Sequence, residues 1–197
     1  MCKGDELWHT APVLKYDPQP IPLKSPNWRD LKNFNSQDLP HRVRPWLLDE
    51  GSLTERLIRA SDDNFEVERL SQGWLVPTLS ERKLLDIPAR QWALVREVVL
   101  RCHGQAWVYA RSVIPGATLS GSLRHLRRLQ NQSLGTLIFQ NPHLQRSSFQ
   151  LALLPANCDY IHPSLRQQIP AWARRSRFTI AGKSLSVSEV FLQQFQP

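Results

Sequence analysis

The stretch that most constrains this chain runs from Trp172 to Leu192, WARRSRFTIAGKSLSVSEVFL. Two runs rich in β-forming residues flank Ala181-Gly182-Lys183, which predicts a hairpin with glycine at its turn. In the second run Leu185, Val187, Glu189 and Phe191 share one face under the two-residue period of a strand, and Ser184, Ser186 and Ser188 take the other. Glu189 is therefore in phase with large apolar side chains. Burying its charge there is costly unless a partner compensates.

A second charge is out of phase in the same way. The segment Gln91 to Arg101, QWALVREVVLR, reads as a strand with Trp92, Leu94, Arg96, Val98 and Leu100 on one face. Gln91, Ala93, Val95, Glu97 and Val99 take its other face. His103-Gly104-Gln105 is a turn, Ala106 to Ile114 the returning strand, and Pro115 its end. The pattern leaves two readings open. Arg96 and Glu189 could form a buried structural ion pair. Alternatively they face a small pocket, where Arg96 grips an anionic group bidentately and Glu189 handles a proton.

Residues 1–44 form a proline-rich arm with Pro12, Pro18, Pro20, Pro22, Pro26 and Pro40, a spacing that prevents long helices. Trp8, Trp28 and Phe34 are its candidate anchors. The domain proper is expected over residues 45–197. A helix opens at Pro45 with Trp46, Leu47 and Leu48, and Asp49-Glu50-Gly51 interrupts it. Ser52-Leu53-Thr54-Glu55 is a capping-box pattern that restarts the helix through Ile58, with Leu53 just inside the new start. Phe65 to Val76 reads as a strand with a bulge or bend at Gly73, and residues 77–90 as a connection. Leu119, Leu123 and Leu126 line one face of a helix that carries Arg124, Arg127 and Arg128 on another. Ser133 caps a short continuation, LGTLIF. Residues 147–154 form a further strand and 155–171 a long loop. The class is α+β in a single domain: an antiparallel sheet of about six strands with helices covering one face.

Composition then removes whole classes of function. A chain of 197 residues with 41% hydrophobic content can bury a sizeable core. No apolar run reaches the ~20 residues of a membrane span, and the first residues lack the apolar stretch of a secretory leader. Cys2, Cys102 and Cys158 are odd in number and widely spaced, which suits reduced thiols in the cytoplasm and no zinc site. The six histidines are scattered singly. Gly182-Lys183-Ser184 imitates the end of a P-loop, but Arg177 stands where its first glycine belongs. The net charge of +8 and the Arg174-Arg175-Ser176-Arg177 run lack the interleaved aromatics of a nucleic-acid surface, so no nucleic-acid partner is expected.

Six blocks of sequence resemble, in order, the bacterial chorismate pyruvate-lyase family: WLLDEGSLTERL (46–57), WALVREVVL (92–100), GQAWVYARSVIP (104–115), LGTLIF (134–139), WARRSRF (172–178) and GKSLSVSEVFL (182–192). The resemblance covers roughly residues 45–192 and rests on the order and spacing of the blocks. It implies a cofactor-independent carbon–oxygen lyase that takes chorismate to 4-hydroxybenzoate and pyruvate for ubiquinone synthesis. It implies an internal site under two helix-turn-helix flaps, which the insertions at 45–59 and 118–139 match. By the same resemblance Arg96 and Glu189 are the catalytic residues, and Leu53, Arg96, Leu134 and Glu189 contact the ligand. Leu53 stands where the family usually has Met, a change that keeps an apolar wall. The loop at 155–171 and the arm are longer than the family pattern. A monomer that binds neither metal nor membrane is expected, and the competing reading is a non-catalytic small-molecule-sensing domain of the same fold.

Overall fold

The computed structural model describes residues 25–197; Cys2, Trp8 and the first part of the proline-rich arm lie outside the described residues. Eight strands form one antiparallel sheet. In chain order the elements are β1 (Arg29–Asp30), α1 (Arg44–Leu47), α2 (Leu53–Ala60), β2 (Phe65–Leu75), α3 (Leu79–Leu85), β3 (Ala93–Cys102) and β4 (Gln105–Pro115). A 3-10 helix (Gly121–Arg128), α4 (Leu134–Phe139), β5 (Gln145–Arg146), β6 (Gln150–Leu154), β7 (Ala171–Ile180) and β8 (Lys183–Phe191) follow. The strand order is β1-β6-β7-β8-β4-β3-β2, with β5 also on β7.

Two tight turns set the register of the central strands. Cys102 pairs with Gln105 and Ile180 with Lys183, so each hairpin has a two-residue loop. All four loop residues have positive φ: 51° and 73° at His103 and Gly104, 48° and 75° at Ala181 and Gly182. That is the primed turn whose twist matches the strands, and a glycine at its second position relieves half the strain. Lys183 thus belongs to β8 rather than to the turn.

Several expectations need correction. The strand count is eight, because Gln145–Arg146 forms a short strand of its own before the predicted one, which is confined to Gln150–Leu154, and because Arg29–Asp30 joins the sheet edge. The irregularity in β2 lies between Arg69 and Ser71, while Gly73 pairs regularly with Val95. The connection at 77–90 contains α3, started by a full capping box of Thr78 and Glu81. The segment with the arginine stripe is 3-10, not α. Leu123, Leu126 and Leu129 recur every three residues and are all buried, which matches three residues per turn.

The sheet is also covered on both faces. One face buries Leu100, Val108 and Phe191 under Leu47 and Leu57, and Leu94, Ile114 and Leu185 under Leu119, Leu123 and Leu134. The other buries Val99, Tyr109 and Val190 under Tyr160, Ile161 and Leu165, and Val95 and Val113 under Leu85 and Ile87. The long loop at 155–171 is therefore a lid on the second face. The described part of the arm packs on both faces: Trp28 lies edge-on to Tyr160 on the second, and Phe34 meets Trp172 against the core of the first.

That second face also holds a closed polar network. Arg111 donates from Nε to Glu81 at 2.8 Å and from Nη1 to Glu97 at 2.7 Å, and all three are largely buried. Glu97 also accepts from Ser71 and Tyr109, each at 2.6 Å. Burial opposes the charge on Glu97, but the bonds from Ser71 and Tyr109 and the charge of Arg111 outweigh it, holding the carboxyl below its usual range. This network cross-braces β2, β3, β4 and α3 beneath the site.

Candidate active site

Period-two alternation on three neighbouring strands builds the floor of the pocket. Arg96 on β3 lies opposite Ser112 on β4, which lies opposite Val187 on β8; Ala110 lies opposite Glu189. All five side chains face the same cavity. Its roof is α2 and α4, which contribute Leu53 and Leu134, each the first residue of its helix. The structure therefore brings all four sequence-predicted residues, Leu53, Arg96, Leu134 and Glu189, to one cavity. Its empty space, solvent at the open mouth included, is about 480 Å³. Val67, Val98, Leu100, Ile138, Phe139 and Phe178 supply apolar walls.

The two roof helices start alike. Ser52 caps α2 by accepting from the Glu55 N–H, and Ser133 caps α4 by accepting from the Thr136 N–H. They meet above the pocket, where Thr54 Oγ1 and Ser133 Oγ are 2.7 Å apart. Glycine at 135 favours the contact, since a Cβ there would sit 3.1 Å from Thr54 Oγ1, tighter than ordinary packing.

Arg96 is 1% exposed. Its Nη2 donates to the carbonyls of Gln130 and Gln132, at 3.0 and 2.8 Å, and so holds down the turn before α4. Its Nε is buried with no partner. Burial first, and the charge of Arg69 second, push its pKa down to about 10, which leaves it cationic at neutral pH. A buried cation with an unused donor is suited to an anionic ligand group.

Glu189 does not pair with Arg96. Its partner is Arg174, the residue directly across the β7–β8 ladder, whose Nε donates to Oε2 at 2.6 Å. Arg174 is fully buried, and its Nη1 also donates to the carbonyls of Trp46 and Asp49, at 2.6 and 2.7 Å. Arg146 reinforces this end: it donates to the carbonyls of Glu50 and Gly51 and lies over the rings of Phe149 and Phe178. Burial lowers its pKa to about 10, against the opposing charge of Glu189.

Arg174 was legible only as one of a basic run. Register arithmetic would have found it: with a two-residue turn at Ala181-Gly182, position 174 falls opposite 189. Arg146 and Ser112 carried no signal beyond phase. Among the described residues no group of three or more His, Cys, Asp and Glu could hold a metal ion, and no helix is long and apolar enough to cross a membrane.

The overall fold is shared with solved domains of low sequence identity. The chain superposes on the PhnF C-terminal domain with a TM-score of 0.53 at 14% identity, over 64% of this chain and 82% of that one. For the effector domain of PhnF from Mycobacterium smegmatis the TM-score is 0.50 at 14% identity, over 74% and 91%. Sequence is more specific. The family described as chorismate lyase matches residues 23–196. A protein of Pseudomonas fluorescens named "Probable chorismate pyruvate-lyase 2" is 42% identical over 75% of this chain and 79% of its own length. One of Methylobacillus flagellatus, named "Probable chorismate pyruvate-lyase", is 40% identical over 76% and 85%. The chain belongs to the chorismate lyase family.

Proposed function

We propose that this chain is a chorismate pyruvate-lyase, eliminating pyruvate from chorismate to leave 4-hydroxybenzoate for ubiquinone synthesis. The observation that carries the reading is a roofed, mostly apolar pocket with a buried cation, Arg96, at one end and a carboxylate, Glu189, at the other. Chorismate has a ring carboxylate opposite a ring hydroxyl, with an enolpyruvyl ether beside the hydroxyl. Arg96 takes the ring carboxylate through its unused Nε, assisted by a main-chain N–H at Leu134. Glu189 then lies by the hydroxyl and the ether, where the proton must move. Leu53, Leu134 and the aromatic walls exclude water from the ring.

The reaction is redox-neutral and ends in an aromatic ring, so the protein needs to supply only orientation, charge neutralisation and a proton path. Positioned proton transfer accounts for about 10²–10⁴ in rate. Holding the substrate between fixed charges in a dry pocket supplies the larger share. Arg174 keeps Glu189 aimed while compensating its charge. One chain contains all of these groups, which supports a monomer as the working unit, and the free thiols at Cys102 and Cys158 suit the cytoplasm.

The fold likeness to effector domains favours a second reading, ligand sensing without chemistry. One assay separates the two. Purified protein is mixed with chorismate without added metal or cofactor, and 4-hydroxybenzoate is followed by its absorbance. Product formation supports the lyase; 4-hydroxybenzoate binding with no turnover supports the sensor.

A further inference from the structure

Ser112 stands at the centre of the pocket floor, and neither the sequence pattern nor the roles given above account for it. It is 3% exposed, lines the cavity, and its hydroxyl makes no hydrogen bond among the described residues. The other hydroxyls at the cavity, on Thr54 and Ser133, are satisfied by each other. A hydroxyl that opens onto a ligand cavity and has no protein partner is free to bond to the ligand.

The register says which part of the ligand. Ser112 is directly across from Arg96 on one side and from Val187 on the other, and Glu189 lies two residues beyond Val187 on the same face. A ring held by Arg96 at its carboxylate and by Glu189 at its hydroxyl crosses β4 between Ser112 and Ala110, of which Ser112 alone carries a hydroxyl. Between those two ends chorismate carries one oxygen, the ether oxygen on C3. We propose that Ser112 is a further catalytic residue, whose hydroxyl donates a hydrogen bond to the ether oxygen of the departing enolpyruvyl group; this rests on the lyase reading.

The role follows from where charge develops. The C3–O bond breaks with its electron pair going to the ether oxygen. The C4–H bond supplies the pair for the new ring double bond. The proton released from C4 balances the one that enolpyruvate takes up as it becomes pyruvate. A donor at the ether oxygen strengthens its bond as that oxygen gains charge, so it stabilises the transition state more than the bound substrate. The product 4-hydroxybenzoate has lost this oxygen, so Ser112 has nothing left to hold.

That asymmetry provides the test. Ser112→Ala and wild type are compared for chorismate turnover and, by titration, for 4-hydroxybenzoate affinity, with the thermal midpoint reporting folding. The expected result is a kcat lower by about tenfold or more with product affinity within about twofold of wild type. An unchanged kcat overturns the role. So does a loss of product affinity matching the loss of kcat/KM, which would place the hydroxyl on a group that substrate and product share. A wild type that forms no product overturns the lyase reading and this role together, whereas wild-type turnover with an unaffected variant removes Ser112 alone.

Discussion

Arg174 and Glu189 face each other across the β7–β8 ladder at 2.6 Å, and the same guanidinium holds the carbonyls of Trp46 and Asp49 at the base of the first flap. One residue thus couples the pocket carboxylate to its cover. Arg96 does the same at the far end through Gln130 and Gln132. Each end of the pocket is tied to one flap by an arginine rooted in the sheet.

Removing Arg174 leaves Glu189 with only the more distant charge of Arg146 and frees two buried carbonyls. Arg174→Met is expected to lose about 3–5 kcal/mol of stability, the range for breaking one side of a buried pair. Urea denaturation measures this, and a midpoint close to wild type contradicts the coupling.

The two ends of the pocket separate kinetically. Glu189→Gln keeps the shape of the site and should bind 4-hydroxybenzoate nearly as well as wild type, while turnover falls by about 10²–10⁴. Arg96→Ala should weaken product binding itself, by titration. Near-normal rates in both variants would refute the assignment of either residue.

Gly135 lets α2 and α4 approach. Gly135 is the second residue of α4, where alanine gains less over glycine than the roughly 0.5–1 kcal/mol of a helix interior, and here its Cβ meets Thr54 Oγ1 at 3.1 Å. Gly135→Ala should therefore stabilise the protein less in the wild type than in a Thr54→Ala background. A double-mutant cycle on thermal midpoints reads the difference, and strict additivity would mean that the helices do not bear on each other.

The polar network under the floor predicts a pH dependence. The Glu97 carboxyl is held below its usual range, so the folded state binds its proton less readily than the unfolded chain does. Its contribution is present above the ordinary carboxylate value, about 4.3, and is lost as pH falls through the lower folded value. Glu97→Gln should be less stable than wild type at neutral pH, with a gap that narrows in acid. A gap that stays constant from pH 7 to pH 3 would show that Glu97 contributes no linkage.

Much of this architecture was written in alternation. Arg96 and Glu189 are legible because two charges fall in phase with apolar neighbours; serine caps place Leu53 and Leu134 at helix starts, and only the family resemblance marks those two as ligand contacts. What alternation hides is pairing. The period of two shows that Arg96 and Glu189 share a buried surface, yet the choice of Arg174 as the ion partner depends on a turn one residue shorter than the composition suggested. The covered second face was hidden for a different reason. Its lid is Tyr160, Ile161 and Leu165 in a proline-punctuated segment without period, so only tertiary packing reveals it. Likewise α3 sits between two prolines, and its Thr78–Glu81 capping box was masked by them.

The most direct test of the account is a crystal structure with 4-hydroxybenzoate bound. The predicted result is a ring lying over Ser112, with its carboxylate on Arg96 and its hydroxyl on Glu189. Density for the ring outside this cavity, or with its carboxylate at Glu189, would contradict the central claim that these two charges bracket the substrate.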